Sequence, residues 1–111
     1  IKCLVGTGIP NSNKIKDNYL DQIKSVSKNT AGVRRLGAAS IDLAYVASGK
    51  LDGFWEGNLN LWDMASGVLL VKEAGGKVTQ INGDDWTVNS SNILASNLYI
   101  HSKLEEKVSL L

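Results

Sequence analysis

The sequence predicts an α/β fold, helices layered on a largely parallel sheet, from two observations. Short strand candidates alternate with helix candidates along all 111 residues, and glycines punctuate the boundaries between them. The chain is long enough for one small domain and no more.

Lys2 to Gly6 reads as a short buried strand ending at Gly6-Thr7-Gly8, and Pro10 with Asn11, Ser12 and Asn13 makes a loop. From Asp17 to Lys28, Leu20, Ile23 and Ser27 share a helical face flanked by Tyr19 and Val26. Gly32 stops that helix, and Val33 to Leu36 alternates as a strand does. Gly37 opens a small-residue helix through Ser48, with Ile41, Ala44, Tyr45 and Ser48 along one face and Gly49 as its C-cap.

Phe54-Trp55-Glu56 has strand character, broken by Gly57-Asn58 before a helix from about Leu61 to Lys72. Gly75-Gly76 stands where a left-handed cap is wanted. Lys77 to Ile81 alternates, Asn82-Gly83 signals a tight turn toward Trp86-Thr87-Val88, and Ile93 to Ser96 is a further strand. The last helix, from about Leu98, spaces His101, Leu104, Val108 and Leu111 by three, four and three. That is the clearest helical period in the chain.

Composition narrows the function classes. Twelve basic residues against eleven acidic leave a net charge of +1, so no strong field draws the chain to nucleic acid or an anionic membrane. No apolar run approaches the roughly 20 residues that cross a bilayer, and no signal peptide is visible. The single cysteine, Cys3, lies in an apolar run and reads as a core residue, which suits a reducing cytoplasm. The chain opens on Ile1 and its one methionine is Met64, so a segment upstream is expected.

Each candidate for chemistry has an ordinary alternative. Asp63 near a helix start is an N-cap by position, or an oxygen ligand to a hard cation if other carboxylates converge on it. Glu56 ends a strand beside glycine, either as a solvated terminus or facing a pocket at the carboxyl edge of a sheet. Gly37-Ala38-Ala39 at a helix start exposes backbone N–H groups that can hold anionic or hydroxylated ligands, although many helices begin this way without binding anything. Asp84-Asp85 follows Asn82-Gly83 and reads as a polar turn, and His101 lacks any partner at metal-ligand spacing. There is no Gly-x-Ser-x-Gly, no Cys-x-x-Cys and no phosphate-binding loop ending Gly-Lys-Ser/Thr.

Three stretches together resemble the inositol monophosphatase family: Arg34 to Gly49, Leu51 to Glu56, and Leu61-Trp62-Asp63-Met64-Ala65-Ser66-Gly67 running to Glu73-Ala74-Gly75-Gly76. The last is the most specific, because Trp-Asp, Ala-x-Gly and Glu-Ala-Gly-Gly in that order form the family's carboxy-terminal signature. The resemblance implies that residues 1–111 are the carboxy-terminal half of a sugar-phosphatase fold, with a mostly parallel or mixed sheet flanked by helices. It implies Mg2+ as cofactor, Asp63 as a metal ligand beside the substrate, and Glu56 as acceptor of a hydroxyl of bound inositol. Gly37, Ala38 and Ala39 match the segment lining the substrate site; Ala38 stands where relatives commonly carry Ser or Thr, so that hydroxyl contact is lost.

The family's amino-terminal half carries a Glu-Glu pair and an Asp-Pro-x-Asp-Gly-Thr motif that supply most metal ligands. This chain has no Asp-Pro, since its one proline follows Ile9. The resemblance thus implies hydrolysis of an inositol monophosphate or related polyol phosphate by the assembled, homodimeric, cytoplasmic protein, and an inactive isolated chain. The alternatives are a sugar-bisphosphate, nucleotide-bisphosphate or histidinol phosphatase of the same superfamily, or an interaction module on this scaffold with Arg34 and Arg35 in its contact. A dimer contact or a solvated strand explains those arginines equally well.

Overall fold

A computed structural model describes residues 3–8 and 17–108. The expected loop at Pro10 to Asn13 and the last position of the carboxy-terminal period, Leu111, lie outside those residues. The elements follow in the order β1 (Leu4–Thr7), α1 (Asp17–Asn29), β2 (Gly32–Arg34), α2 (Ala39–Ser48), β3 (Gly53–Glu56), α3 (Leu61–Glu73), β4 (Lys77–Thr79), β5 (Ile93–Ser96) and α4 (His101–Val108).

The strands form one sheet in the order β2-β1-β3-β5-β4. β1 pairs in parallel with β2 and β3, whereas β5 runs antiparallel to both β3 and β4. The sheet is therefore mixed rather than largely parallel. The parallel part is built by helical crossovers, as parallel neighbours require, and β5 enters reversed after the long turn region that follows β4. That region holds the expected polar turn, with Asp84 N–H donating to Asn82 Oδ1 at 2.9 Å. Beyond it only an isolated bridge, Thr79 to Asp85, forms, and Trp86 to Val88 is not a strand.

Alternation along the strands divides the core in two. Phe54, Ile93 and Ala95 face α2 and α3, where they pack with Leu43, Val46, Met64, Val68 and Val71. Val5, Trp55 and Leu94 face α1 and α4, where they meet Val26, Leu104 and Val108. Cys3 is buried in this second cluster. Its buried polar groups are paired: Trp55 Nε1 donates to Gln22 Oε1 at 3.0 Å, and Gln22 Nε2 to the Val108 carbonyl at 2.8 Å. At the opposite edge of the sheet from Glu56, Asp52 receives the Leu4 N–H on Oδ2 at 2.8 Å and the Asn97 amide on Oδ1 at 3.3 Å, tying β1, β3 and β5 together.

Two helix faces differ from expectation. In α1 the inward residues are Tyr19, Gln22 and Val26, while Leu20 is 56% exposed, so the face is turned from the one centred on Leu20. In α2 the buried residues are Ala39, Asp42, Leu43 and Val46, and the anticipated face of Ile41 and Tyr45 points away from the sheet. The reason is composition. A helix apolar on nearly all sides carries no periodic signal that tells its two faces apart. α2 packs closely on α3, where a Cβ at Gly67 would stand 2.5 Å from Leu43 Cβ.

Candidate functional site

The carboxyl ends of β1 and β3 and the first turns of α2 and α3 share one edge of the sheet, because each helix begins just after a parallel strand ends. Thr7 pairs with Trp55 in register, which sets Gly8 beside Glu56. Glu56 keeps the face of Phe54, toward α2 and α3. Its carboxylate covers Gly8 so closely that both oxygens would collide with a Cβ there. One step earlier on the same face, a Cβ at Gly6 would lie 2.5 Å from Asp42 Oδ1. The missing side chains of Gly6 and Gly8 therefore make a floor for two carboxyl groups, one from α2 and one from β3.

The two carboxyls are electrostatically strained. Burial, then the charge of Glu56, pushes Asp42 up to about 7. Burial, then the charge of Asp63, pushes Glu56 up to about 7 as well, with Arg35 acting in the opposite direction. Asp42 is 1% exposed, and neither of its oxygens has a hydrogen-bond partner. On the far side of the strand, Tyr19 donates its hydroxyl to the Gly8 carbonyl, and Thr7 Oγ1 donates to the Trp55 carbonyl at 2.9 Å. These bonds pin the backbone beneath Glu56 from the α1 side. Burial also pushes the Tyr19 hydroxyl up, opposed by its close contact with the Thr7 hydroxyl.

Asp63 lies in the first turn of α3, two residues beyond the helix start, so it does not cap the helix as the sequence suggested. Asn60 holds the cap position, and Asp63 Oδ2 reaches back to accept its N–H at 2.9 Å. This is the reciprocal half of a capping box. A carboxylate offers about four lone-pair sites, so the bond to Asn60 orients Asp63 without exhausting it. Asp63 is exposed, as is Trp62 beside it at 88%. Gly37 has φ +95°, a left-handed conformation that turns the chain into α2, and Ala38 precedes the first helical residue without a side-chain cap. The helix thus begins at Ala39, two residues later than Gly37, and its first N–H groups lack an intrahelical acceptor.

The edge accordingly brings Asp63 and Arg35 into electrostatic range of Glu56, with Gly37 to Ala39 at the start of the neighbouring helix. Among the described residues no three His, Cys, Asp or Glu side chains form a group that holds a metal ion. Asp84 and Asp85 are exposed in their turn. His101 is buried at the start of α4 between Thr79 Oγ1, 2.9 Å from Nε2, and Ser96 Oγ, 2.7 Å from Nδ1. Sequence reasoning missed Asp42. Its signal was present: one acidic residue spaced with Ala39, Leu43 and Val46 on a helix otherwise rich in small and apolar side chains, where charge is rarely buried without purpose.

A mixed sheet between helix pairs, with acidic groups gathered at the carboxyl edge of its parallel strands, defines an α/β domain whose candidate site is that edge. The sequence pattern of the inositol monophosphatase family matches residues 2–110, and the chain belongs to that family. It is 46% identical over 109 residues to an inositol-1-monophosphatase of Caulobacter vibrioides, covering 96% of this chain and 43% of that protein. It is 52% identical over 97 residues to the Nus factor SuhB of Pseudomonas aeruginosa, covering 85% and 36%. The crystal structure of the extragenic suppressor protein suhB from Bartonella henselae superposes with a TM-score of 0.92 at 44% identity, over 98% of this chain and 42% of that one. The chain thus spans about two-fifths of the length of these relatives.

Proposed function

We propose that the complete protein containing this chain is a magnesium-dependent phosphatase of an inositol monophosphate or related polyol phosphate. The observation that carries this reading is the placement of Glu56: a half-buried carboxylate on a glycine floor, within electrostatic range of Asp63 and Arg35. An ionised carboxylate there accepts hydrogen bonds from ligand hydroxyls. The name of the Caulobacter vibrioides relative supports the same substrate class.

Asp63 fits magnesium as one ligand, since the cation takes hard oxygen donors and is commonly held by one or two carboxylates with water and phosphate. It is insufficient alone, and the remaining ligands come from polypeptide outside this chain. Magnesium at such a site supplies Lewis-acid stabilisation of phosphoryl oxygens and acidifies water. The chain's own contributions are orientation and binding. Asp63 is aimed by its bond to Asn60, Glu56 accepts from the polyol, and the N–H groups that open α2 after Gly37 and Ala38 line the same edge.

The outer sides of α2 and α3 support the need for further polypeptide. Ile41 and Tyr45 on α2, and Leu69 and Leu70 on α3, are exposed on helices whose opposite sides already cover the sheet. Helices apolar all round are interior elements, so we assign this surface to the remaining part of the complete protein. We extend the reading to a homodimer on the family resemblance, and to the cytoplasm on the single buried cysteine, Cys3. A second reading, an interaction module, is favoured by the name of the Pseudomonas aeruginosa relative, a Nus factor.

The test is hydrolysis of inositol monophosphate, sugar bisphosphates and nucleotide bisphosphates by the complete protein and its Glu56→Gln variant. Glu56→Gln is expected to raise KM for the polyol substrate while leaving the magnesium dependence unchanged. A selective loss of magnesium affinity would contradict the assignment of Glu56, and absence of turnover on every substrate would favour the interaction module.

A further inference from the structure

Glu56 stands on a residue past the end of the β1 ladder. The last registered pair of β1 with β3 is Thr7 with Trp55, and Gly8, whose missing side chain gives the Glu56 carboxylate its seat, lies one residue beyond it. Glycine has the widest backbone freedom of any residue. A side chain from outside the site fixes it here: Tyr19, buried in the first turn of α1, donates its hydroxyl to the Gly8 carbonyl.

A second hydroxyl completes the mount. Thr7 Oγ1 donates at 2.9 Å to the carbonyl of Trp55, the peptide that leads into Glu56. Each hydroxyl has one proton, and these two bonds use both. The two oxygens lie 3.2 Å apart, and neither hydroxyl can serve the other's carbonyl without abandoning its own. Both donors are buried, so a bond lost here is not replaced by water. Burial, and the nearby charge of Glu56, also oppose ionisation of Tyr19, which keeps the proton it donates. A binding carboxylate is aimed only as well as the residues that support it.

We propose that Tyr19 is the positioning residue for Glu56: through the Gly8 carbonyl it fixes the seat of the carboxylate, and with it the orientation in which Glu56 meets a hydroxyl of the substrate. The proposal rests on the polyol-phosphatase reading for its substrate, but the mechanical link from Tyr19 to Glu56 does not.

The experiment compares the complete protein with its Tyr19→Phe and Gln22→Met variants, on inositol 1-phosphate and on 4-nitrophenyl phosphate at saturating magnesium. The second substrate has no polyol for Glu56 to bind. Phenylalanine keeps the ring and loses one oxygen. Gln22→Met is the control on the same helix: it removes the bonds that α1 makes to the Trp55 indole and the Val108 carbonyl without touching Gly8. Tyr19→Phe is expected to raise KM for inositol 1-phosphate roughly fivefold, the order of one buried hydrogen bond, with kcat and aryl-phosphate turnover unchanged. Gln22→Met is expected to lower the melting temperature and leave both KM values unchanged. Equal losses on the two substrates, or a KM raised as much by Gln22→Met, would show that α1 acts only as support for the fold. An unchanged KM in Tyr19→Phe would show that Gly8 is held without the hydroxyl. Each of these overturns the proposal.

Crystal structures of the complete protein and of Tyr19→Phe test the mechanical link without turnover. The expected result is a parent structure with the Tyr19 hydroxyl on the Gly8 carbonyl and a variant in which the Glu56 carboxylate has moved. A parent structure with that hydroxyl turned away from Gly8, or a Glu56 carboxylate in the same place in both, overturns the proposal. If the parent protein hydrolyses neither phosphate ester, the phosphatase reading fails while the two structures still decide whether Tyr19 places Glu56.

Discussion

Glu56 rests its carboxylate on Gly8, the residue directly beyond β1, at a separation that leaves no space for a single carbon. This makes Gly8 part of the site although it bears no functional group. Gly8→Ala must move Glu56, β1 or both, and overpacking of this kind costs about 1–3 kcal/mol. Because Glu56 is at the exposed edge and can swing outward, we expect the displacement of Glu56 to dominate. The complete protein carrying Gly8→Ala should melt a few degrees lower and show a raised KM for inositol monophosphate, like Glu56→Gln. A normal KM with a lowered melting temperature would show that the strand yields instead, leaving Glu56 in place.

His101 gives a test that is independent of catalysis. Burial, then Lys77, pushes its imidazole down to about 4, from an ordinary value of 6.5. The unfolded chain therefore binds the proton more readily than the folded one between about pH 6.5 and 4. By linkage, this residue's contribution to stability is fully present above about pH 6.5 and is lost as pH falls toward 4. The Thr79 and Ser96 hydroxyls also lie 2.8 Å from the carbonyls of Gln80 and Asn97, so each has an acceptor within reach when the ring is removed. We expect His101→Leu to flatten the acid side of the melting-temperature profile relative to the parent protein. An unchanged acid slope would place His101 in water rather than in the core.

The carboxy-terminal helix was legible because its pattern has one solution. His101, Leu104 and Val108 recur on a face whose neighbours are charged, and the three are buried. β5 was equally legible as a strand, Ile93–Ser96, but its direction was not. Strand order and orientation are set by contacts between residues far apart in sequence, which local periodicity does not encode. α2 shows the opposite difficulty. Ile41, Ala44 and Tyr45 made a plausible core face, yet the sheet takes Ala39, Asp42, Leu43 and Val46, because α2 is apolar enough to be covered on two sides.

The site was legible in part for a similar reason. Motif spacing singled out Glu56 and Asp63, and the fold brings them to one edge. The roles proposed for them lean on geometry that the sequence does not display: the capping-box bond that aims Asp63, and the glycine under Glu56. Asp42 needed the packing of α2 against β1 before it stood out.

In the function proposed above, this chain supplies one magnesium ligand, Asp63, to a site completed by the rest of the protein. Asp63 also accepts the Asn60 N–H, so its two duties must be separated on one variant. Asp63→Asn keeps the side-chain oxygen that accepts this bond, and the loss in helix stability is expected to stay below about 1 kcal/mol. The same change removes a negative charge from a hard-cation site. The most direct measurement is the magnesium dependence of inositol monophosphate turnover by the complete Asp63→Asn protein, read beside its melting temperature. The account predicts a nearly unchanged melting temperature with turnover reduced by orders of magnitude at ordinary magnesium; near-normal turnover would contradict it.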